Sequence, residues 1–445
     1  MPSFQRLPSI LTLLGVLSFS LLLPACAQVP KRADDTVLEM HQAWRKMDRT
    51  RLSALLPQVQ GHPLEPLAAY WELRSRLDTA SEGEVQAFLT RYTGTYYEDR
   101  LRNDWLLQLG RRRDWSTIAV EFPKYRMQDD REARCYALAA DAVLSKRDVA
   151  QDALRLWYAQ RDADDGCTWL AEHLHSGRKI NGLDLWRKAR LAMDANKPKA
   201  AKDAADIEAP RLSEQVTLIF NDPARYLDKR IVAVTRNRKE LAVLALIRLA
   251  ASDPDQAAQL LERRWGLMLT SEEKHWTWGV IGKQAAQKLQ DNASDYFAKV
   301  GKDSDLNDDL LTWKIRAALR SGQWQQVLGA TEALSPEAKQ DPAWTYWRAR
   351  ALLATAGNDA QRLQAQDLLR AIAGVRGFYE QLALEELGQT ISVPQPPAPL
   401  SAMEKAQAQA NPGLQRALYA IQIGLRPEGN REWNYTTNLH TPGGM

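Results

Sequence analysis

The sequence predicts an all-α protein built as a superhelical solenoid of short helical hairpins, and three observations predict it. First, apolar residues recur at helical spacing along nearly the whole chain. Trp344, Trp347, Ala351 and Ala354 lie at i, i+3, i+7 and i+10, the stripe of one helix face. Second, a phrase repeats: Trp313-Lys-Ile-Arg-Ala-Ala-Leu overlays Trp347-Arg-Ala-Arg-Ala-Leu-Leu at an offset of 34 residues, and Trp278 precedes Trp313 by 35. A period in the mid-thirties is that of TPR-like helix-turn-helix arrays, in which no hairpin buries its apolar face alone and each must stack on the next. Third, no segment alternates with period 2 for long enough to specify a sheet.

Taken in order, residues 1–27 read as a secretory signal. Arg6 supplies the positive n-region, Ile10 to Leu23 the apolar h-region, and Ala25-Cys26-Ala27 a small-residue cleavage site. The mature chain then begins near Gln28; the alternative is a lipoprotein acylated at Cys26, against which Pro24 is atypical. No later stretch has 18 consecutive apolar residues, so the mature chain is expected to have no transmembrane segment. Export leaves Cys135 and Cys167 in an oxidising compartment, where we expect them to be bonded; the alternative is two buried thiols.

The first helix is expected from Thr36 to Met47, with Asp34 and Asp35 at its positive end. Gly61-His62-Pro63 breaks the chain, and helices recur from Leu67 to Leu77 and from Glu84 to Arg91. Asp99 to Gly110 reads as a helix ending at its glycine, with Asp114-Trp115 opening the next. Trp105 and Trp115 are 10 apart and Trp313 and Trp324 are 11 apart, so the connection is expected to be alike at both ends of the chain. Cys135 to Ser145, Val149 to Tyr158 and Cys167 to Leu174 continue the pattern. Asp194 to Ala209 reads as a helical turn region with an exposed polar face, and Leu241 to Ala251 as a helix buried on several sides. A helix burying Leu363, Leu368, Leu369 and Ile372 stops at Gly374. Another buries Phe378, Leu382, Leu384 and Leu387 and ends in a left-handed cap at Gly388. Gln395-Pro-Pro-Ala-Pro399 cannot be helical and forms a linker, after which Leu414 to Leu425 is helical again.

With 445 residues, 45% hydrophobic and 26% charged, the chain is long enough for two or three domains or one continuous superhelix. Its net charge of +4 loses one unit with Arg6 and is too weak for a nucleic-acid surface; Arg111-Arg112-Arg113 reads as a solvated helix end. Glu272-Glu273 and Glu385-Glu386 are adjacent carboxylates that point about 100° apart on a helix and read as solvated faces. His173-Leu174-His175 has no further ligand at metal spacing, and no Gly-rich loop follows a strand. No catalytic, cofactor-binding or metal-ligating residue is therefore assigned, and no cofactor is expected. The 15 tryptophans are unusual. Trp44, Trp105, Trp313 and Trp347 sit on apolar faces and fill space between hairpins, whereas Trp276 and Trp278, next to a polar run, are the candidates for stacking on sugar rings.

Three phrases carry a resemblance: Gly94-Thr-Tyr-Tyr-Glu-Asp-Arg-Leu-Arg-Asn-Asp-Trp-Leu-Leu-Gln-Leu-Gly110, Gly377-Phe-Tyr-Glu-Gln-Leu-Ala-Leu-Glu-Glu-Leu-Gly388 and Gly424-Leu-Arg-Pro-Glu-Gly-Asn-Arg-Glu-Trp-Asn434. Together they resemble the soluble lytic transglycosylases of Gram-negative bacteria, periplasmic enzymes that cut the glycan strands of peptidoglycan. The resemblance covers nearly all of the mature chain. It implies a superhelical domain at 28–391 and the start of a helical linker domain at 401–445, which lie after the signal read at 1–27 and on either side of the proline-rich linker read at 392–400. It also implies a Cys135–Cys167 disulfide and a periplasmic location. Glycan strands are the implied partner, with other cell-wall proteins as further partners.

Family members continue into a lysozyme-like domain whose Glu-Ser dipeptide supplies the acid/base for a non-hydrolytic cleavage that yields a 1,6-anhydro sugar. This sequence contains no Glu-Ser dipeptide, and Gly266-Leu267-Met268 matches a phrase of that domain without the glutamine that should follow. The expected function is the non-catalytic, peptidoglycan-associated part of such an enzyme, inactive alone. The alternative is a stand-alone periplasmic scaffold for a protein partner.

Overall fold

The computed structural model describes residues 33–160, 162–228, 234–393 and 396–439. The signal reading, with Ala25, Ala27 and Cys26, lies outside these residues, as do Gln395 of the linker and the chain end from His440.

The described residues form α-helices from Ala33–Arg45 to Arg426–Leu439 with no strand among them. Helices two apart in sequence stack on one another. Glu65–Ser75, Tyr96–Arg112, Arg131–Ala140 and Asp165–Ser176 touch in turn, as do Arg236–Ser252, Ser271–Gln287 and Asp308–Arg320, and the helices between them form a second layer. This double row follows from short helices that each carry an apolar flank toward two neighbours. Arg236–Ser252 is the extreme case, with every residue from Leu241 to Ile247 buried.

Local chemistry sets the helix ends. Ser81, Asn181, Thr270 and Ser401 each close a capping box with the acidic residue three positions on. The connection before Trp115 and the one before Trp324 are the same: Arg113 and Gly322 adopt left-handed φ of 60° and 68°. In both, the next amide reaches back to the carbonyl five residues earlier, Asp114 to Leu109 at 3.1 Å and Gln323 to Ala318 at 2.8 Å. Gly388 ends its helix in the same way.

Several expectations need correction. Gly110 does not end its helix, which runs on to Arg112; the glycine is there because a Cβ would overlap the ring of Tyr136. Leu363 and Phe378 are exposed, and Ala365, Leu369 and Ala383 are the residues buried in that part of the stack. Asp194 to Ala209 holds a helix, Pro198–Glu208, whose Ala200, Ala201, Ala204 and Ala205 are buried against the preceding helix. Ala402–Ala410 and Arg426–Leu439 are further helices around the one foreseen near Leu414.

Charged groups trapped between the layers are matched there. Arg190 is wholly buried; its guanidinium donates to Glu240 at 2.7 and 2.8 Å and to Glu272 at 2.9 and 3.0 Å, tying three helices together. Lys188, also buried, donates its ammonium to the carbonyls of Trp157 at 2.5 Å and Gln160 at 3.0 Å. Cys135 and Cys167 are bonded, with Cα atoms 5.0 Å apart, and link Arg131–Ala140 to Asp165–Ser176.

Two predictions follow from these ties. The disulfide closes a loop of 32 residues, so its removal should cost about 3 to 4 kcal/mol, seen as a lower melting temperature without loss of helical circular dichroism; an unchanged melt would show the bridge to be dispensable. For Lys188, burial pulls the ammonium down to about 8, whereas an unfolded lysine holds its proton to about 10.4. Between these values the unfolded chain carries the extra proton, so the contribution of Lys188 to stability rises with pH through that window. Relative to Lys188→Met, the native protein should gain stability between pH 8 and 10; parallel melting curves would contradict this.

Candidate functional site

The residues singled out from sequence are dispersed. Trp276 is buried with Arg190 over its ring at 5.5 Å from the centroid, and Trp278 is buried, with the Tyr296 ring stacked 5.9 Å away and the Lys299 ammonium 4.6 Å from its centroid. Both indoles are committed to packing, so neither presents a face on which a sugar stacks; the polar run before them lies on the first turn of their helix. Glu272 and Glu273 are not a solvated face either. Glu272 pairs with Arg190, and Glu273 is buried as the capping partner of Thr270. Glu386 pairs with Arg350, His173 stacks on Trp169 at 5.0 Å, and Arg113 pairs with Asp165. Among the described residues no group of three or more His, Cys, Asp or Glu is placed to hold a metal ion.

What the structure does bring together lies at the two ends of the chain. The helix Tyr96–Arg112 starts at Thr95, whose hydroxyl caps the Glu98 amide at 3.1 Å, and buries its own polar residues. Arg102 lies between Glu98 and Glu121. Asp99 accepts the amides of Arg126 at 2.6 Å and Met127 at 3.0 Å, and burial nonetheless raises its pKa above the ordinary carboxylate value. Asp104 accepts from the Tyr70 hydroxyl at 2.9 Å and from Arg74 at 3.0 Å.

Arg426–Leu439 packs against this helix, and Pro412–Gln422 against the start of the first helix and His62. Gly413 and Gly429 let the two helices approach closely, since a Cβ at either would overlap Thr436 or the chain at Ala417 and Ile421. Ala420 and Leu425 join the apolar core of the N-terminal helices. The Tyr419 hydroxyl donates to Asp34 at 2.7 Å, His62 meets the same carboxylate at 2.9 Å, His41 faces Glu428 at 3.7 Å, and Tyr435 packs edge-on against Tyr96 at 5.7 Å. Within the pair, Arg416 donates to buried Glu432 at 2.7 and 3.1 Å. Burial outweighs that attraction and holds the Glu432 carboxyl above its ordinary value.

Docking encloses a cleft of about 360 Å³. Trp44, Leu67, Tyr70, Trp71, Tyr96, Tyr97 and Arg100 come from the N-terminal helices, and Glu428 and Arg431 from the last helix. A second hollow of about 680 Å³ opens where His62, Glu65, Arg91 and Tyr92 meet Pro412, Gln415, Arg416 and Tyr419. Sequence reading missed both, because their walls lie more than 300 positions apart.

The protein is thus an all-α superhelix whose last helices close onto its first. No protein-family model matches the chain. The soluble lytic murein transglycosylase of Salmonella typhimurium strain LT2 is 24% identical over 370 residues, covering 81% of this chain and 56% of that protein. The soluble lytic murein transglycosylase of Escherichia coli K12 is 22% identical over 408 residues, covering 89% of this chain and 61% of that protein. Among solved structures, an inactive mutant of the Pseudomonas aeruginosa lytic transglycosylase Slt matches 91% of this chain and 66% of its own, with a TM-score of 0.58 and 24% identity. The 70-kDa soluble lytic transglycosylase of Escherichia coli matches 91% of this chain and 65% of its own, with a TM-score of 0.50 and 18% identity. Over most of its length the chain is a homologue of the soluble lytic murein transglycosylases, and it spans 56% to 61% of the length of these curated relatives.

Arg416→Ala tests the docking. It leaves buried Glu432 without its cation, at a cost on the order of 3 kcal/mol, and should make the segment between Gly388 and Ser401 more sensitive to protease. Without Arg416 the native carboxyl binds its proton more tightly still, so the deficit should shrink as pH falls and Glu432 becomes neutral. A variant as stable and protease-resistant as wild type would contradict this account.

Proposed function

We propose that this chain is the superhelical, peptidoglycan-associated portion of a lytic transglycosylase, and that it holds glycan without cutting it. The observation that carries the reading is the similarity, over 81% to 89% of the chain, to proteins named soluble lytic murein transglycosylase. The fold shared with the Pseudomonas aeruginosa enzyme supports it. We further propose the division into a signal at 1–27, a superhelical domain at 28–391, a linker at 392–400 and a helical linker domain from 401, with the mature protein in the periplasm. No helix among the described residues is long and apolar enough to cross a membrane. Without a Glu-Ser dipeptide, the sequence has no match to the acid/base motif that the resemblance implies.

Two measurements test this. Zymography on murein should give no clearing with the purified chain, and release of anhydro-muropeptides would overturn the non-catalytic reading. Incubation with insoluble sacculi should co-sediment the chain. Failure to co-sediment would favour the alternative, a periplasmic helical-repeat scaffold whose partner is a protein.

A further inference from the structure

We propose that the cleft closed by the last helix is a saccharide site for an acidic N-acetylhexosamine, with aromatic walls for the ring and arginine for the carboxylate. The proposal rests on the peptidoglycan reading above and adds to it a place and a chemistry.

The walls differ from the other tryptophan-rich parts of the molecule. Trp276 and Trp278 have their rings covered, whereas Trp44, Tyr70 and Tyr96 are only half-buried and line an open hollow. The Trp44 and Tyr70 rings pack on each other, centroids 6.3 Å apart and tilted by 53°, so they form one angled wall along one side of the hollow. Rigid aromatic faces with a polar edge suit a pyranose, which has an apolar C–H face and a hydroxylated rim. The volume of about 360 Å³ falls within the range of small-molecule sites, which combine such walls with a few polar groups that fix orientation.

The polar groups specify an acid. Arg431 is exposed on the last helix and makes no ion pair or hydrogen bond with another described residue. Arg100, also on the cleft, meets the Tyr70 side chain and is 4.0 Å from Asp104, which is already engaged by Arg74 and the Tyr70 hydroxyl. The two guanidinium groups therefore retain donors for one ligand carboxylate, the group that arginine binds in bidentate fashion. Glu428 lies on the same wall, facing His41, and offers an acceptor to a sugar hydroxyl or acetamido N–H. Because Arg100 and Arg431 belong to opposite ends of the chain, a ligand held by both also holds the chain closed. Binding and docking are then linked, and each strengthens the other.

The test uses the whole chain and two peptide-free probes: the N-acetylglucosamine–N-acetylmuramic acid disaccharide, which carries a carboxylate, and the N-acetylglucosamine dimer, which does not. By calorimetry the acidic disaccharide should bind at least about tenfold more tightly, and Arg431→Ala should remove about tenfold from its affinity alone. Trp44→Ala should weaken both probes; Trp44→Phe, which keeps a ring in place, should restore binding and carries the test if the alanine variant fails to fold. Equal affinity for the two probes, no binding of either, or an Arg431→Ala protein that binds like wild type would overturn the proposal. Sacculus co-sedimentation is run on the same proteins. Wild type that sediments but binds neither disaccharide leaves the peptidoglycan reading standing and removes this site, whereas wild type that does not sediment removes the reading itself.

Discussion

A helix of ten to fifteen residues is marginal in water, and everything in this molecule depends on each one finding apolar neighbours on two sides. Burial of that kind is non-directional. Packed alanines and leucines hold helices together without fixing how far one slides along the next. The trapped polar groups do fix it: Arg190 between Glu240 and Glu272, Arg102 between Glu98 and Glu121, and Asp99 on the amides of Arg126 and Met127 each permit one alignment of the elements they join. The apolar stripes thus supply the stability of the stack, and a small number of buried ties supply its register.

The architecture was legible because it is written locally. Helical periodicity, a repeat in the mid-thirties and the missing period-2 pattern gave the class, and the similar spacings of Trp105–Trp115 and Trp313–Trp324, 10 and 11 residues, reflected a real identity of turn, with Arg113 and Gly322 in the same left-handed conformation. The errors arose where a residue answers to a distant neighbour. Gly110 reads locally as a helix stop, but its partner is the ring of Tyr136 on another helix. Glu272 and Glu273 read as a solvated pair, but helical geometry sends one into a cap and the other to Arg190, 82 positions away. Trp276 and Trp278 follow a polar run in sequence and yet sit in the core, because that run occupies the first turn of their helix.

The candidate cleft left only one trace in the sequence. Glu98, Asp99, Arg102, Asn103 and Asp104 crowd a single helix with polar groups on all sides, a pattern that suits neither an amphipathic surface helix nor an apolar core helix. Such a helix must be enclosed by partners that satisfy it, here Tyr70, Arg74, Glu121, Arg126, Met127 and Asp130 on neighbouring segments, and the last helix packs beside it through Tyr435 against Tyr96. The homologues share the path of this chain through space, and that likeness shows the fold alone. What the fold can hold is decided by the side chains gathered where the path closes.

Closure also sets the order in which the molecule can be assembled. Most contacts in the stack join helices adjacent or next-but-one in sequence, and the Arg190 ties reach 50 and 82 positions, but the hydrogen bond from Tyr419 to Asp34 spans 385 positions and that from Arg126 to Tyr435 spans 309. Contacts of such separation bear the full entropy of loop closure and form only after the intervening chain has shortened itself by folding. The last helices therefore serve as a record of completion: they find their seat on the first helices once the whole arc between them is built. Until then Ala420 and Leu425 remain uncovered, and an incompletely folded chain is marked by the apolar surface it still exposes.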